Sequence, residues 1–121
     1  MRIYKISNNI VQQIKDHLTR SNDYESYEEF VDNQDMGDCQ GIVSDICRNF
    51  PSANKVFGEI EIDDSYYDEY GDEQNLVTHH WIEVDGIPYD FSKGTLKNHI
   101  QFDSIYDPEI SSNELDKYQL Y

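Results

Sequence analysis

The chain has 121 residues, 37% hydrophobic and 13% aromatic, so it can fill one modest core and is too rich in large side chains to be wholly disordered. Its 25 Asp and Glu residues against nine Lys and Arg residues give a net charge of −16. This charge excludes ordinary electrostatic binding to nucleic acid or anionic lipid and favours a basic partner. The sequence predicts one domain over residues 1–121.

No apolar run typical of a signal peptide or a membrane span occurs in the sequence. The two cysteines, Cys39 and Cys47, are eight residues apart in one helical pattern, so they point along a helix rather than at each other. We therefore predict a cytoplasmic protein with free thiols that does not bind membranes.

Three helices are predicted in the first half of the chain. Apolar residues at helical spacing indicate an amphipathic helix over residues 8–19, and a shorter apolar pattern indicates a second helix over about 24–31. A third helix is expected over about 39–49, with Pro51 after its end. Asp38 is a plausible N-cap for it, which places Cys39 in its first turn on the inward side.

Strands follow the helices. Alternating residues predict a strand over 56–62, and two further runs, 76–84 and 87–91, flank Asp85-Gly86, which is typical of a two-residue hairpin turn. Residues 63–75 hold six acids and no base, so an exposed and partly disordered loop is expected there. Ser111 and Glu114 have the spacing of a capping box for a last short helix. Helices first and an antiparallel sheet second predict an α+β fold.

The hairpin register brings a histidine and an aspartate together. With a two-residue turn, Val84 pairs with Ile87 and Trp81 with Asp90, so His79 and Asp90 are diagonal neighbours on one face of the sheet. His80 points to the opposite face, although a one-residue bulge near Pro88 would exchange the two histidines. A cysteine nucleophile needs a base beside it and a group that orients the base. Cys39, His79 and Asp90 are therefore the predicted catalytic residues.

These motifs resemble a known superfamily. Gly37-Asp38-Cys39 at the start of a helix, then His79-x-Trp81-x-Glu83 on a strand and Asp90 after it, follow the order in transglutaminase-like members of the papain-like cysteine-enzyme superfamily. The match spans about residues 37–92. The resemblance implies N-terminal helices, with the nucleophile at a helix N-terminus, packed on a small antiparallel sheet.

The resemblance also implies an activity, which is acyl transfer at an amide of a protein or peptide substrate. Peptidases, deamidases, transglutaminases and non-enzymes all occur in this superfamily. By position, Trp81 is a packing or pocket residue behind the histidine, and Trp81 and His80 are the predicted site-lining residues. Papain-like enzymes place an amide side chain just upstream of the cysteine, so Asn33 or Gln34 becomes a candidate second oxyanion donor beside the Cys39 N–H. No cofactor and no metal are expected.

Other interpretations of the same residues stay open. Cys39 taken alone is a small core residue, and Cys39 with His79 and His80 is a candidate zinc site, although adjacent strand residues point in opposite directions. Calcium binding is the more specific alternative for segment 63–75, although the spacing of its acids does not fit an EF-hand loop. The main alternative function is a non-enzymatic acidic protein that mimics DNA and blocks a basic or nucleic-acid-binding partner.

Overall fold

The computed structural model describes the backbone of residues 3–120 and the side chains from Ile10 onward. Its helices are α1 (Ile3–Ser21), α2 (Tyr27–Asp32), α3 (Cys39–Asn49) and α4 (Ser112–Leu115), with a 3₁₀ turn at Lys93–Leu96. Its strands are β1 (Ala53–Tyr67), β2 (Glu73–Val84), β3 (Ile87–Tyr89) and β4 (Tyr118–Leu120). They form one antiparallel sheet in the order β3-β2-β1-β4, so the predicted α+β class is confirmed.

Local signals explain where the elements begin and turn. The Ser26 hydroxyl accepts a hydrogen bond from the Glu29 N–H at the start of α2, and Ser111 with Glu114 forms the predicted capping box of α4. Asp85 and Gly86 both have positive φ angles, 54° and 79°, as a type I′ turn requires. The register through this turn is the predicted one, with Val84 opposite Ile87.

Each face of the sheet is covered by a different part of the chain. The three N-terminal helices pack on the face that carries Ile82 and Val84. The other face carries Ile60, which packs with Leu96 and Ile100 from the chain after β3. Both faces are buried where β2 passes between these layers, and His79 lies in that stretch.

The prediction that residues 63–75 form a loop is wrong for both ends of the segment. The flanking strands extend into this segment, and the two paired strands with their turn form a hairpin that we call the acidic arm (residues 63–75). Its turn is ordered by Asp68, whose carboxylate accepts hydrogen bonds from the N–H groups of Tyr70 and Asp72. The expectation that the segment is exposed holds for most of its residues.

Candidate functional site

Cys39 is the first residue of α3. The side chain of Asp38 does not cap this helix as expected, because its carboxylate accepts a 2.8 Å hydrogen bond from the backbone N–H of Asp35. The first-turn N–H groups of α3 therefore keep their positive partial charge for another acceptor. As the first residue of α3, Cys39 has its thiol at the positive end of the helix. Cys39 is 8% exposed, so the thiol is screened from bulk water.

The predicted contact between His79 and Asp90 is present. The Nε2 atom of His79 lies 2.8 Å from Oδ2 of Asp90, and each residue is 1% exposed. The predicted strand over 87–91 is too long, however, since β3 ends at Tyr89. The N–H of Asp90 donates to the Pro108 carbonyl at 2.7 Å, which turns the chain away from β2 while the carboxylate still reaches the histidine.

The Asp90 carboxylate is held by two further residues. Its Oδ2 also accepts a 2.6 Å hydrogen bond from the Tyr118 hydroxyl. Its Oδ1 lies 2.9 Å from the Ser92 N–H and 2.8 Å from the Ser92 hydroxyl. With His79, four donor groups surround one buried carboxylate, which fixes its orientation and favours its charged form.

The thiol reaches the other side of the imidazole. Because Nε2 of His79 bonds to Asp90, Nδ1 is the ring nitrogen left for the thiol of Cys39, which lines a common cleft with His79. The His80 carbonyl lies 3.2 Å from the Ser92 hydroxyl. Ser92 thus lies at the edge of β2 that β3 leaves open.

The electrostatics of these three residues favour an ion pair. Burial alone would raise the pKa of Cys39, but the hydrogen bond and charge of His79 and the His80 N–H lower it below its usual 9.0. Burial would lower the pKa of His79, yet Asp90 and Cys39 outweigh it and raise the pKa to about 10. Burial would likewise raise the pKa of Asp90, and the charge and hydrogen bond of His79 lower it. Both shifts favour the thiolate and the imidazolium over the neutral thiol and imidazole.

A cleft of about 280 Å³ gives access to the thiol and the imidazole. Its lining residues come from the α3 N-terminus, β2 and the 3₁₀ turn: Met36, Gly37, Cys39, Gln40, Val77, Thr78, His79, His80, Thr95 and Leu96. His80 lines the cleft, whereas Trp81, also predicted to line the site, does not. Trp81 is buried and stacks on the His79 ring, with ring centroids 6.1 Å apart and planes inclined by 27°. It packs behind the histidine.

Asn33 and Gln34 do not take up the position expected of a second oxyanion donor. The Asn33 amide is exposed and donates to the Glu29 carbonyl at 2.8 Å, while the buried Gln34 amide donates to the Phe91 carbonyl at 2.9 Å. Neither residue lines the cleft. The physical reason is that both amides satisfy nearby backbone carbonyls, and Gln34 joins α2 to the chain after β3.

Sequence reasoning missed the role of Tyr118. It lies 28 residues after Asp90 and reaches the site because β4 pairs with β1, with Tyr118 opposite Ile60. Nothing in the sequence separates it from the other nine tyrosines. For Ser92, the available signal is the Asp90-x-Ser92 spacing, which suits an aspartate that bonds the backbone two residues on.

Within residues 3–120, no group of three or more His, Cys, Asp or Glu side chains is arranged to hold a metal ion. No helix in that part of the chain is long and apolar enough to cross a membrane. Both cysteines are free. No family model, curated protein or solved structure matches this chain.

Proposed function

We propose that the protein is a cysteine-dependent acyl-transfer enzyme that acts on an amide of a protein or peptide, with Cys39, His79 and Asp90 as catalytic residues. The observation that carries the proposal is the buried chain of contacts from the His79 imidazole to a carboxylate held by Tyr118 and Ser92, next to a thiol that lines the same cleft as the imidazole. A buried carboxylate with this many donors is costly to assemble unless its charge is used. The papain/transglutaminase-like core is part of the proposal.

The first half of the reaction forms a thioester. The Cys39 thiolate attacks the amide carbonyl carbon, and the first-turn N–H groups of α3 stabilise the negative charge that develops on the carbonyl oxygen. The His79 imidazolium gives its Nδ1 proton to the amide nitrogen as the C–N bond breaks. Ammonia or an amine leaves, and His79 is left neutral with its Nε2–H on Asp90.

The second half regenerates the thiolate. Water or an acceptor amine attacks the thioester carbonyl carbon while neutral His79 takes a proton from it. The C–S bond breaks, the acyl group leaves as an acid or a new amide, and the proton stays on His79 beside the restored thiolate. Peptidase, deamidase and transamidase activities share these steps and differ in the leaving and accepting groups.

The charge of the chain bears on the substrate, and its free thiols bear on the compartment. A net charge of −16 repels acidic proteins and attracts basic ones, so we propose a substrate protein with a basic surface. Two free thiols are typical of a reducing compartment, and we propose that the enzyme works in the cytoplasm.

Replacement of each cysteine tests the proposal. An electrophilic peptide amide should modify the wild-type chain at one site, Cys39→Ala should abolish the modification, and Cys47→Ala should leave it unchanged. Circular dichroism should show that both variants keep the fold. Modification that persists in folded Cys39→Ala, or that needs Cys47, would overturn the proposal.

A non-enzymatic acidic binding protein is the second candidate, because the acidic arm is an ordered, exposed hairpin with six acids and no base. This function predicts salt-sensitive binding to a basic partner that survives Cys39→Ala. The same binding should be lost when the acids of the arm are replaced by Asn and Gln. The enzyme hypothesis predicts instead that turnover is lost in Cys39→Ala.

A further inference from the structure

A second cavity opens beside the catalytic cleft. It has a volume of about 290 Å³ and shares two lining residues, Met36 and Val77, with the cleft that holds Cys39. Val77 precedes His79 by two residues on the same face of β2, which is a separation of roughly 7 Å along the strand. A peptide whose amide lies at Cys39 can therefore place a neighbouring side chain in this cavity.

The walls of the cavity are apolar. Ile62 is buried, and Val77 lies on the same sheet face because Ile60, its partner in the register, precedes Ile62 by two residues. The Tyr66 hydroxyl donates to the Leu76 carbonyl at 3.1 Å, which fixes the tyrosine ring as a further wall. These walls suit the aliphatic part of a side chain.

The rim of the cavity is charged. Asp64, on the acidic arm, lines the cavity with a side chain that is 58% exposed, and its carboxylate lies 3.2 Å from Nδ1 of His99. The five other acids of the arm add to the negative potential, and the arm contains no base. A side chain with an aliphatic stem and a cationic end matches both the walls and the rim.

We propose that this cavity, which we call the stem pocket, binds a lysine or arginine side chain of the substrate close to the amide that reacts. The stem contacts Ile62, Tyr66 and Val77, and the cationic group lies at the Asp64 carboxylate. The inference rests on the proposed function, because the pocket is defined by its continuity with the cleft at Cys39. It specifies a substrate with a basic residue within about two residues of the reacting amide, since an extended chain rises about 3.3 Å per residue.

The test compares electrophilic peptides that differ at one residue, which is lysine, arginine, norleucine or glutamate. Norleucine has the stem of lysine without its charge. We expect Cys39 to react up to about fivefold faster with lysine than with norleucine, the range of one exposed ion pair, and slowest with glutamate. Higher salt should shrink the lysine advantage and leave the norleucine rate unchanged. The arginine peptide shows which cationic group the rim prefers.

Two variants assign the effect to the pocket, and each has a matched control on the acidic arm. Asp64→Asn should remove the lysine advantage, whereas Asp72→Asn, which removes the same charge from the turn, should retain it. Tyr66→Ala should slow lysine and norleucine peptides alike, whereas Tyr67→Ala, at an outward-facing neighbour that is 73% exposed, should not.

The outcomes separate the two proposals. Modification of Cys39 at equal rates by the lysine and norleucine peptides would overturn the stem pocket and leave the enzyme hypothesis standing. Equal losses in Asp64→Asn and Asp72→Asn would also overturn the pocket, because the effect would then come from the general field of the arm. Absence of any reaction at Cys39 would overturn the proposed function and the pocket with it.

Discussion

Helix α3 carries a cysteine near each end, and the two ends differ in what surrounds the thiol. At the N-terminal end, Cys39 meets the imidazole of His79, the backbone N–H of His80 and the positive end of the helix. These contacts lower the pKa of Cys39 against the effect of burial. These surroundings favour the thiolate, which is the nucleophilic form of cysteine.

The C-terminal half of the same helix contains a similar set of residue types. Cys47 lies there, and Asp45 pairs with His17 at 3.0 Å in a partly exposed contact. Burial raises the pKa of Cys47, Lys55 is the group that opposes it, and no imidazole contributes. Both ends thus combine a cysteine, a histidine and an aspartate, but the carboxylate at the N-terminal end is buried, whereas the one at the C-terminal end is partly exposed.

The largest expected effect comes from removing the base at the N-terminal end. His79→Gln keeps a donor for Asp90 and removes the imidazole, so the rate of acyl transfer should fall by about 10²- to 10⁴-fold. His17→Gln, which breaks the His17–Asp45 pair in the C-terminal half of α3, should retain the wild-type rate. Steady-state kinetics on both variants, with circular dichroism as the folding control, measures this. Similar losses in the two variants would show that the pairs do not differ in function.

The same substitution has a pH-dependent effect on stability. Because the pKa of His79 is raised from 6.5 to about 10, its ion pair stabilises the fold fully below pH 6.5 and the contribution is lost as the pH rises through about 10. The difference in unfolding free energy between the wild type and His79→Gln should therefore shrink over that range. Urea denaturation at several pH values measures it, and a constant difference would contradict a charged, buried imidazolium.

A smaller effect is expected from Tyr118→Phe, which keeps the ring against Trp81 and removes the hydrogen bond to Asp90. Loss of one hydrogen bond to a charged group should lower kcat by about tenfold while KM stays unchanged, since Tyr118 does not line the cleft. The alkaline limit of activity should move to higher pH. Without the Tyr118 hydrogen bond, the negative charge of Asp90 acts more strongly on His79 and holds the imidazolium proton more tightly.

The matched control for this variant is Tyr106→Phe. It breaks a 2.7 Å tyrosine–aspartate hydrogen bond to Asp32 at the surface, so turnover and the pH profile should both be unaffected. If the alkaline limit of activity is the same in Tyr118→Phe and the wild type, Tyr118 has a packing role alone.

The smallest effect concerns Gly58, which lies opposite His79 in the sheet. A Cβ atom there would clash with the Gln119 carbonyl and lie 2.8 Å from the Trp81 ring, so Gly58→Ala should destabilise the fold by about 1–3 kcal/mol. Gly41→Ala, in α3 with open space around the new methyl group, should leave stability unchanged or slightly higher. Thermal unfolding of the two variants compares them, and equal shifts in Tm would contradict the close packing behind His79.

Part of this site could be predicted because its determinants are local. Asp85-Gly86 sets the turn, the turn sets the register, and the alternation of strand residues then separates His79 from His80. The first-turn position of Cys39 likewise follows from helical periodicity and Pro51. These patterns depend on neighbouring residues, which a sequence displays directly.

The rest of the site depends on contacts between distant segments. Tyr118 reaches Asp90 through the pairing of β4 with β1, and the Pro108 carbonyl takes the N–H that the predicted strand would have used. We predicted a loop for the acidic arm because its charges argue against a strand, yet Tyr66 pairs with Gln74 and Tyr67 with Glu73. Gln34 bonds to the Phe91 carbonyl across 57 positions of chain, which no local pattern indicates.

The most direct test of the difference between the two thiols is the pH dependence of their alkylation by iodoacetamide, followed by mass spectrometry of each cysteine. We predict that Cys39 reacts much faster than Cys47 at pH 7. The titration midpoint of Cys39 should lie below 9.0, because His79 and the His80 N–H stabilise its thiolate. The midpoint of Cys47 should lie above 9.0. Slow labelling of both thiols with the same midpoint would contradict the claim that the surroundings of Cys39 favour its thiolate.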